Sequence, residues 1–408
     1  MITVVGIGAD GWAGLPEPSR AAIAAAEVLI GSDRQLDLVP ASGAERVPLP
    51  NPLLPSLPGL IKTYTYKRLV VLASGDPMFF GIGATLATLI GADQLRVLPH
   101  VSALSQACAR LGWPLEQVEV VSLVGRPLAT LTAALSPGRR VLVLSADSGT
   151  PLQVAGLLVK AGYGASTLTV LGDLGSAAES RRDGTAAGWA GQQSEELPAL
   201  NVVALTCYTD PGVAPLTRVP GLPDDAYEND GQLTKREVRA VTLARLGPLP
   251  GQLLWDVGAG AGSVAIEWLR SHPSCTAIAI ERDPARAERI HQNADALGVP
   301  KLRVVVGRAP AALTGLPAPF AVFVGGGVTT PGLIEACWSA LLPGGRLVVN
   351  AVTVESEAIL AQCYAELGGD MVRVAVQHAS PVGGFTGWRP MMPVTIWSAT
   401  KPAPEEGP

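Results

Sequence analysis

The sequence predicts an α/β protein with two domains. Short apolar runs, such as Leu69–Ala73 and Leu253–Val257, alternate with helical patterns along nearly the whole chain. Of its 408 residues, 48% are hydrophobic and 16% are charged, which suits two large cores. A proline-rich stretch without periodicity, residues 209–222, separates the two halves. We therefore predict one domain over 1–208, a linker over 209–222, a second domain over 223–400 and a tail over 401–408.

The most informative motif lies at the start of the second half. The buried strand Leu253–Val257 leads into a GxGxG turn, and a helical pattern follows; a second apolar run then ends at Glu281. Glycines let a backbone approach a ligand, a helix N-terminus faces it, and an acidic side chain accepts hydrogen bonds from a ribose diol. The motif predicts a nucleoside cofactor site formed by Gly258, Ala259, Gly260, Ala261, Gly262 and Glu281. The alternative is a glycine turn that only packs a helix on a sheet.

Composition excludes several kinds of partner. The net charge of −5 argues against a broad nucleic-acid or membrane surface. The five cysteines are scattered without CxxC spacing and the four histidines do not cluster, so we expect reduced thiols and no metal site. The N-terminus has no basic region before its apolar residues, and no stretch is suited to spanning a membrane. We expect a cytoplasmic protein.

Local signals place several further elements. In the first half, Ile2–Val5 is a strand followed by a GxGxxG sequence, but no helix is predicted at Gly11 because prolines follow. Ser19 is the expected N-cap of a helix through Ala26, residues 48–58 an expected loop, and residues 181–182 another. In the second half, Thr234 and Glu237 have capping-box spacing for a helix to Leu246. Later strands complete a seven-stranded pattern.

Three turns of the first half resemble those of the tetrapyrrole (corrin and porphyrin) methylase family. They are residues 6–11, 74–83 and 99–103, the last followed by Ala-Arg-Leu-Gly-Trp-Pro at 109–114. The resemblance implies two α/β lobes, about 1–115 and 118–206, with S-adenosylmethionine (SAM) in the cleft between them. It implies cofactor contacts at Gly8, Gly75, Asp76, Met78, Ser102 and Ala103. The family's usual Pro-Gly-Asp is here Ala9-Asp10-Gly11, which leaves the substrate contact of that loop open.

The second half resembles the decarboxylating cobalt-precorrin methyltransferase domain. The matching segments are residues 223–225, 234–239, 256–263, 325–327 and 350–353. The resemblance implies a class I SAM-dependent methyltransferase with a Rossmann-like seven-stranded sheet, and its SAM contacts are carried over to Thr234, the 258–262 turn, Glu281 and Ala309. The candidate catalytic residues are three: Asn350 as an implied substrate contact, Arg389 as a carboxylate clamp and Glu228 as a proton donor.

The order of the two domains resembles that of the fused methyltransferases of the aerobic cobalamin pathway. This resemblance implies one SAM per domain and a tetrapyrrole substrate, precorrin-6B (6Y). It implies methylation at carbon 5 by the first domain, and methylation at carbon 15 with loss of the carbon-12 acetate carboxyl by the second, giving precorrin-8X. Homologous second domains tend to form tetramers, so we expect a homo-oligomer.

Two other functions stay open at this stage. One is an RNA or protein methyltransferase with an N-terminal binding module, although an amino-methylating enzyme commonly has Asn/Asp-Pro-Pro-Tyr where this chain has Val324-Gly-Gly-Gly327. No basic patch for RNA is evident either. The other is a chain in which only the second domain is catalytic and the first binds tetrapyrrole.

Overall fold

The chain folds into two compact units. The structure is a computed structural model that describes residues 1–192 and 197–403. The first unit comprises residues 1–128 and 135–214, and the second comprises residues 129–134 and the chain from 215 onward. Residues 404–408 of the predicted tail lie outside the described part.

The first sheet of the first unit is wholly parallel. Its elements are β1 (Ile2–Ile7), α1 (Gly11–Gly14), α2 (Glu17–Ala24), β2 (Val28–Gly31), α3 (Asp33–Asp37), β3 (Glu45–Pro48), α4 (Leu53–Thr63), β4 (Leu69–Ser74), α5 (Ile82–Ile90), β5 (Leu95–Leu98) and α6 (Ala103–Leu111). The strand order is β3-β2-β4-β1-β5. Residues Leu69–Ala73 of β4 are all buried, as expected for a parallel strand covered on both faces.

The second sheet of this unit is mixed. Its elements are β6 (Val118–Ser122), β7 (Arg140–Leu144), α7 (Thr150–Lys160), β8 (Thr167–Gly172), β9 (Ser180–Thr185), α8 (Ala186–Ala190) and β10 (Asn201–Thr206). The strand order is β6-β7-β10-β8-β9, with β6 and β7 parallel and the other neighbours antiparallel.

The second unit contains a seven-stranded sheet, which confirms the prediction. Its elements are α9 (Arg236–Leu246), β11 (Leu253–Val257), α10 (Ser263–Ser271), β12 (Thr276–Glu281), α11 (Pro284–Ala296), β13 (Arg303–Val306), β14 (Ala321–Val324), α12 (Leu333–Ala340), β15 (Arg346–Ala351), α13 (Val354–Leu367), β16 (Asp370–Val374), β17 (Gln377–Val382), β18 (Phe385–Pro390) and β19 (Val394–Thr400). The order is β13-β12-β11-β14-β15-β19-β16, and β19 alone runs opposite to the other six strands of this sheet.

Both faces of this seven-stranded sheet are covered. Along β11, Leu254 packs into the core that contains Trp268 of α10, whereas Trp255 and Val257 pack into the core on the other face with Leu333 of α12. The carboxyl ends of the parallel strands therefore form one rigid edge, which is where open α/β sheets bind ligands.

Three local predictions for the first lobe are wrong. Helix α2 begins at Glu17, not after Ser19, because a proline is tolerated in the first turn, where backbone N–H groups lack helical partners. Residues 53–63 form helix α4 instead of a loop, since Leu57 and Ile61 lie one turn apart and are both buried. A single helical turn, α1, also begins at Gly11.

Three strand regions were not predicted: β3, β9 and the hairpin of β17 and β18. Residues 181–182, expected in a loop, lie on the edge strand β9, where Arg181 Nε donates to Asp183 Oδ2 at 2.9 Å. Strands β17 and β18 form a separate two-stranded hairpin, which includes Arg389. Most residues of this hairpin are exposed on both faces, so their sequence has no apolar alternation to signal strands.

Candidate functional sites

The larger site is a cavity of about 710 Å³ in the second unit, hereafter the C-terminal cavity. It lies at the carboxyl ends of β11, β12, β14 and β15, and residues of the loop before α9 also line it. Among its lining residues are the predicted contacts Thr234, Gly258, Ala259, Gly260, Glu281, Ala309 and Asn350.

The glycine turn needs its glycines for conformation and for space. Gly258, Gly260 and Gly262 have φ values of +73°, +59° and +78°. A Cβ on Gly258 would lie 3.0 Å from the backbone N of Gly326, and one on Gly260 would lie 2.8 Å from the Gln232 carbonyl oxygen. Any larger residue would push apart the walls of the cavity.

Two predicted cofactor contacts lie away from the C-terminal cavity. Ala261 is 1% exposed and does not line the cavity. A Cβ on Gly262 would lie 2.8 Å from Ile290 of α11, so this glycine faces the protein interior. Both residues shape the turn, and the residues that line the cavity are Gly258, Ala259 and Gly260.

Glu281 is coupled to the turn through hydrogen bonds. Its side chain is buried, with 4% exposure. Oε2 accepts from the N–H of Gly260 at 2.9 Å, and Oε1 accepts from the N–H of Asp283 at 3.0 Å. Each carboxylate oxygen can accept a second hydrogen bond. The residue therefore presents two oriented acceptors in the lining of the cavity.

A second carboxyl group, that of Asp256, is buried beneath the turn. Its Oδ2 accepts from the N–H of Ala265 at 3.0 Å, and its Oδ1 has no partner among the described residues. Burial raises the pKa of Asp256 to about 7; the bond from Ala265 lowers this pKa and the charge of Glu281 raises it further. The base of the turn thus holds a carboxyl group that titrates near neutral pH.

The loop before α9 forms one wall of the C-terminal cavity. Asp230 Oδ2 accepts from Arg286 Nε at 2.9 Å and lies 3.3 Å from Arg289 Nη1. These contacts, first the hydrogen bond from Arg286, lower the pKa of Asp230 to about 2. The ion pairs tie this loop to α11.

The predicted capping box is wrong. Helix α9 begins at Arg236 after Lys235 at the N-cap, and no side-chain cap bond forms. Thr234 lies one residue before that cap, in the cavity wall, and its carbonyl accepts a hydrogen bond from Arg239 Nη1. Its place is set by the buried arginine rather than by helix capping.

A buried ion pair holds this wall in place. Arg239 is fully buried and Glu267 is 3% exposed; Arg239 Nε donates to Glu267 Oε1 at 2.6 Å. Glu267 also accepts from the Tyr227 hydroxyl at 2.9 Å and from the backbone N–H groups of Gly221 and Leu222. Burial and the charge of Glu267 raise the pKa of Tyr227 well above its usual value. Since nearly every polar atom has a partner, the network fixes the segment that leads into the cavity wall.

The structure brings together only one of the three candidate catalytic residues with the cofactor residues. Asn350, near the end of β15, lines the C-terminal cavity. Glu228 is exposed and outside the lining, and its backbone N–H donates to Asn293 Oδ1 at 2.9 Å. Arg389 is exposed on β18, also outside the lining. Met391 and Met392, just beyond β18, do line the cavity, which sequence reasoning missed.

A second cavity, of about 390 Å³, lies in the first unit and is hereafter the N-terminal cavity. Residues from both sheets line it. Five predicted contacts are among them: Gly8, Gly75, Asp76, Ser102 and Ala103. Met78 is not, although its backbone N–H donates to Asp76 Oδ1 at 2.8 Å. Three turns that are far apart in sequence thus meet at one cavity.

Asp10, part of the departure from the family's first motif, is not among the residues that line the N-terminal cavity. His100 Nε2 lies 3.2 and 3.1 Å from the two carboxylate oxygens of Asp10. A Cβ on Gly8 would lie 2.5 Å from Asp10 Oδ1, so the pair packs directly against the glycine turn. This carboxylate supports the loop, while Gly8 and Ala9 face the cavity.

Several residues that line the N-terminal cavity have no recognisable pattern in the sequence. Gln106 Oε1 and Ser122 Oγ are buried there without a partner in the described part of the chain. Arg34 Nη2 donates to Ser74 Oγ at 3.0 Å, which holds a cationic group in the lining. Phe80 adopts a left-handed φ of +55°, which is uncommon for an aromatic residue, and also faces the cavity. A polar or aromatic residue in an irregular turn belongs to no repeating hydrophobic pattern, so the sequence does not indicate that it lines a cavity.

The described residues contain neither a metal-binding cluster nor a membrane-spanning helix. No three His, Cys, Asp or Glu side chains are grouped so that they could hold a metal ion. Within residues 1–192 and 197–403, no helix combines the length and apolar character needed to cross a bilayer.

Comparison with known proteins identifies the family. The profile of the tetrapyrrole (corrin/porphyrin) methylases matches residues 1–188, and that of the precorrin methyltransferase domain matches residues 225–401. A protein of Mycobacterium tuberculosis named precorrin-6Y C(5,15)-methyltransferase (decarboxylating) is 50% identical over 402 residues, covering 98% of this chain and 100% of that protein. This chain belongs to the precorrin-6Y C5,15-methyltransferase (decarboxylating) family. The resemblance drawn from the two sets of motifs is confirmed, and an RNA or protein methyltransferase is excluded.

Two shorter relatives of the family come from Salmonella typhimurium. A cobalt-precorrin-6B C(15)-methyltransferase (decarboxylating) is 34% identical over 173 residues, covering 41% of this chain and 89% of that protein. A cobalt-precorrin-7 C(5)-methyltransferase is 35% identical over 173 residues, covering 42% of this chain and 84% of that protein. The names of these relatives assign the carbon-15 and carbon-5 methylations to separate proteins.

Proposed function

We propose that the chain methylates precorrin-6B (6Y) at carbons 5 and 15 and removes the carboxyl group of the carbon-12 acetate, giving precorrin-8X in aerobic cobalamin biosynthesis. The observation that carries the proposal is the presence of two separate cavities, one in each unit, each lined by glycine turns at strand ends. The 50% identity to a named C5,15-methyltransferase along 98% of the chain supports the same reading.

The C-terminal cavity fits SAM through its own donor and acceptor set. Glu281 offers two oriented carboxylate oxygens for a ribose diol, and Gly258–Gly260 let the backbone approach the ligand. Thr234 and Ala309 line the same cavity. Next to the ends of β15 and β19, the apolar residues Val352, Met392 and Val394 line the cavity and offer a surface for a flat ring.

The N-terminal cavity fits a second SAM. The unpartnered Gln106 Oε1 and Ser122 Oγ are buried polar atoms that a ligand could satisfy, since proteins rarely leave such atoms unpaired. Gly8, Gly75, Asp76, Ser102 and Ala103 supply the turns around it. Arg34 gives the cavity a cation for a substrate carboxylate.

Bound SAM would supply the methyl group in each site. Methyl transfer to an electron-rich ring carbon is an in-line displacement, so the protein mainly orients the two reactants and keeps water away. Rigid strand ends and glycine turns meet this need without a nucleophile or metal. We assign carbon 5 to residues 1–208, and carbon 15 with the decarboxylation to residues 223–400. The two single-activity relatives support this division.

A second candidate is that only the C-terminal half is catalytic and the first half binds tetrapyrrole. The observation that favours it is Asp10, which packs on His100 instead of facing the N-terminal cavity.

The experiment that separates these candidates uses SAM with a ¹³C-labelled methyl group. After incubation of the full chain with precorrin-6B, NMR should detect labelled methyl groups at carbons 5 and 15. A label at carbon 15 alone would support the second candidate, and no label would reject both.

Cell compartment and assembly are further parts of the proposal. All five cysteines are free and buried, which fits a reducing cytoplasm. Phe385 and Trp388 of the hairpin are 85% and 72% exposed, and an exposed apolar patch of this kind suits contact between copies in a homo-oligomer. Sedimentation of the full chain would show a single monomeric species if this assembly is wrong.

A further inference from the structure

Asn350 has one amide atom that the protein leaves unused. The residue lies near the end of β15 and lines the C-terminal cavity. Its Nδ2 donates to Thr242 Oγ1 at 3.0 Å. Its Oδ1 is buried and accepts no hydrogen bond from residues 1–192 or 197–403. A buried carbonyl oxygen without a donor is costly, so such an atom on a residue that lines a cavity points to a ligand.

The orientation of this amide is fixed by a second hydrogen bond. Thr242 is fully buried in α9, and its hydroxyl donates to the Val238 carbonyl at 2.8 Å. Because a hydroxyl has a single proton, Thr242 Oγ1 can only accept from Asn350. The NH₂ group of Asn350 must therefore face Thr242, and the carbonyl oxygen must be the free atom. The two hydrogen bonds, from Thr242 to Val238 and from Asn350 to Thr242, therefore leave an acceptor rather than a donor unpaired on Asn350.

The position of Asn350 in the sheet separates it from the nucleoside contacts. The ribose acceptor Glu281 ends β12, on one side of β11, whereas Asn350 lies on β15, two strands away on the other side. At about 4.8 Å per strand, Asn350 is about 10 Å from the glycine turn and about 14 Å from Glu281. Val352, which follows β15, and Val394, which begins the adjacent strand β19, also line the cavity and are apolar. This end of the cavity suits the substrate ring rather than the nucleoside.

We propose that Asn350 Oδ1 accepts a hydrogen bond from a pyrrole N–H of the tetrapyrrole and that Thr242 is the positioning residue that orients it. The inference rests on the proposed function of the C-terminal cavity. A neutral ring N–H is the matching donor, whereas the peripheral carboxylates of the substrate are acceptors and would be repelled by a carbonyl oxygen. The contact adds binding energy for the ring at this end of the cavity.

The test compares Thr242→Val with Thr242→Ser in the full chain. Valine keeps the shape of threonine but removes the acceptor for Nδ2, so the amide is free to turn, whereas serine keeps the hydroxyl. We expect Thr242→Val to raise KM for precorrin-6B in the carbon-15 methylation about tenfold, the usual order for one hydrogen bond to a buried acceptor, with kcat nearly unchanged. Thr242→Ser should restore the wild-type KM. The carbon-5 methylation and the affinity for SAM should not change.

Asn350→Ala is a second variant in case Thr242→Val disturbs folding, because it leaves the hydrogen bond between Thr242 and Val238 intact. It should raise the same KM. Wild-type KM in Thr242→Val, or failure of Thr242→Ser to restore it, would overturn the inference. Weaker SAM binding in these variants would also overturn it, because the donor would then be the ammonium group of SAM. Wild-type protein that adds no methyl at carbon 15 would reject the proposed function and this inference together; normal wild-type activity with unchanged variants rejects this inference alone.

Discussion

Replacing Glu281 with glutamine is expected to weaken SAM binding in the C-terminal cavity. Each oxygen of this carboxylate already accepts one backbone N–H, from Gly260 and from Asp283, which leaves one position per oxygen for the two ribose hydroxyls. Glutamine turns one acceptor into a donor that faces a backbone N–H. Losing one charge-assisted hydrogen bond costs about 1.5–3 kcal/mol. With the conflict between the two donors included, we expect the free energy of SAM binding to weaken by about 2–3 kcal/mol, which is about a 30- to 150-fold loss of affinity.

The assay is calorimetric titration of the full chain with SAM, which should resolve two sites. Glu281→Gln should weaken one site and leave the other unchanged. Glu288→Gln, at an exposed position on the neighbouring helix α11, is the matched control and should change neither. Wild-type affinity at both sites in Glu281→Gln would refute the assignment of Glu281 to the ribose.

Three further variants test separate parts of the structure. The pKa of Asp256 is raised to about 7 from a usual 3.8, so this group contributes stability at low pH that is lost as the pH rises through 7. Thermal melting should therefore show that the stability of Asp256→Asn relative to wild type is greater at pH 8 than at pH 5. An equal difference at both pH values would contradict this. Glu267→Gln should lower the free energy of unfolding in urea by about 3 kcal/mol, because Arg239 loses its buried charged partner; a loss below about 1 kcal/mol would argue against that role. Ser122→Ala should keep or raise the melting temperature, since its hydroxyl is unpartnered, yet weaken SAM binding in the N-terminal cavity about tenfold; unchanged binding would exclude a cofactor contact.

Residues of both cavities can be predicted from the sequence because their glycine turns lie where regular elements end. A buried strand, a GxGxG turn and an acidic residue after the next strand can be read in order, and the structure places Gly258, Gly260 and Glu281 around one cavity. The seven-stranded sheet followed from the same alternation. The motif could not show that Gly262 faces Ile290, because packing behind a turn depends on a helix further along the chain.

Contacts made by irregular segments could not be predicted from the periodicity of the sequence. Thr234 and Glu237 have capping-box spacing, yet the buried Arg239 decides where the helix begins and which group faces the cavity. The predictions for Glu228 and Arg389 rest on chemical type alone, and neither residue is in the cavity lining. Tertiary packing, which a single sequence does not display, determines these positions.

The mass spectrum of the tetrapyrrole product tests the central claim most directly. Full-length protein would be incubated with precorrin-6B and SAM, and the product mass compared with that of the substrate. We expect a gain of two methyl groups with the loss of one carbon dioxide. A gain of one methyl with that loss would leave the C-terminal cavity as the working site and contradict the two-site account. An unchanged mass with SAM bound would contradict the tetrapyrrole assignment itself.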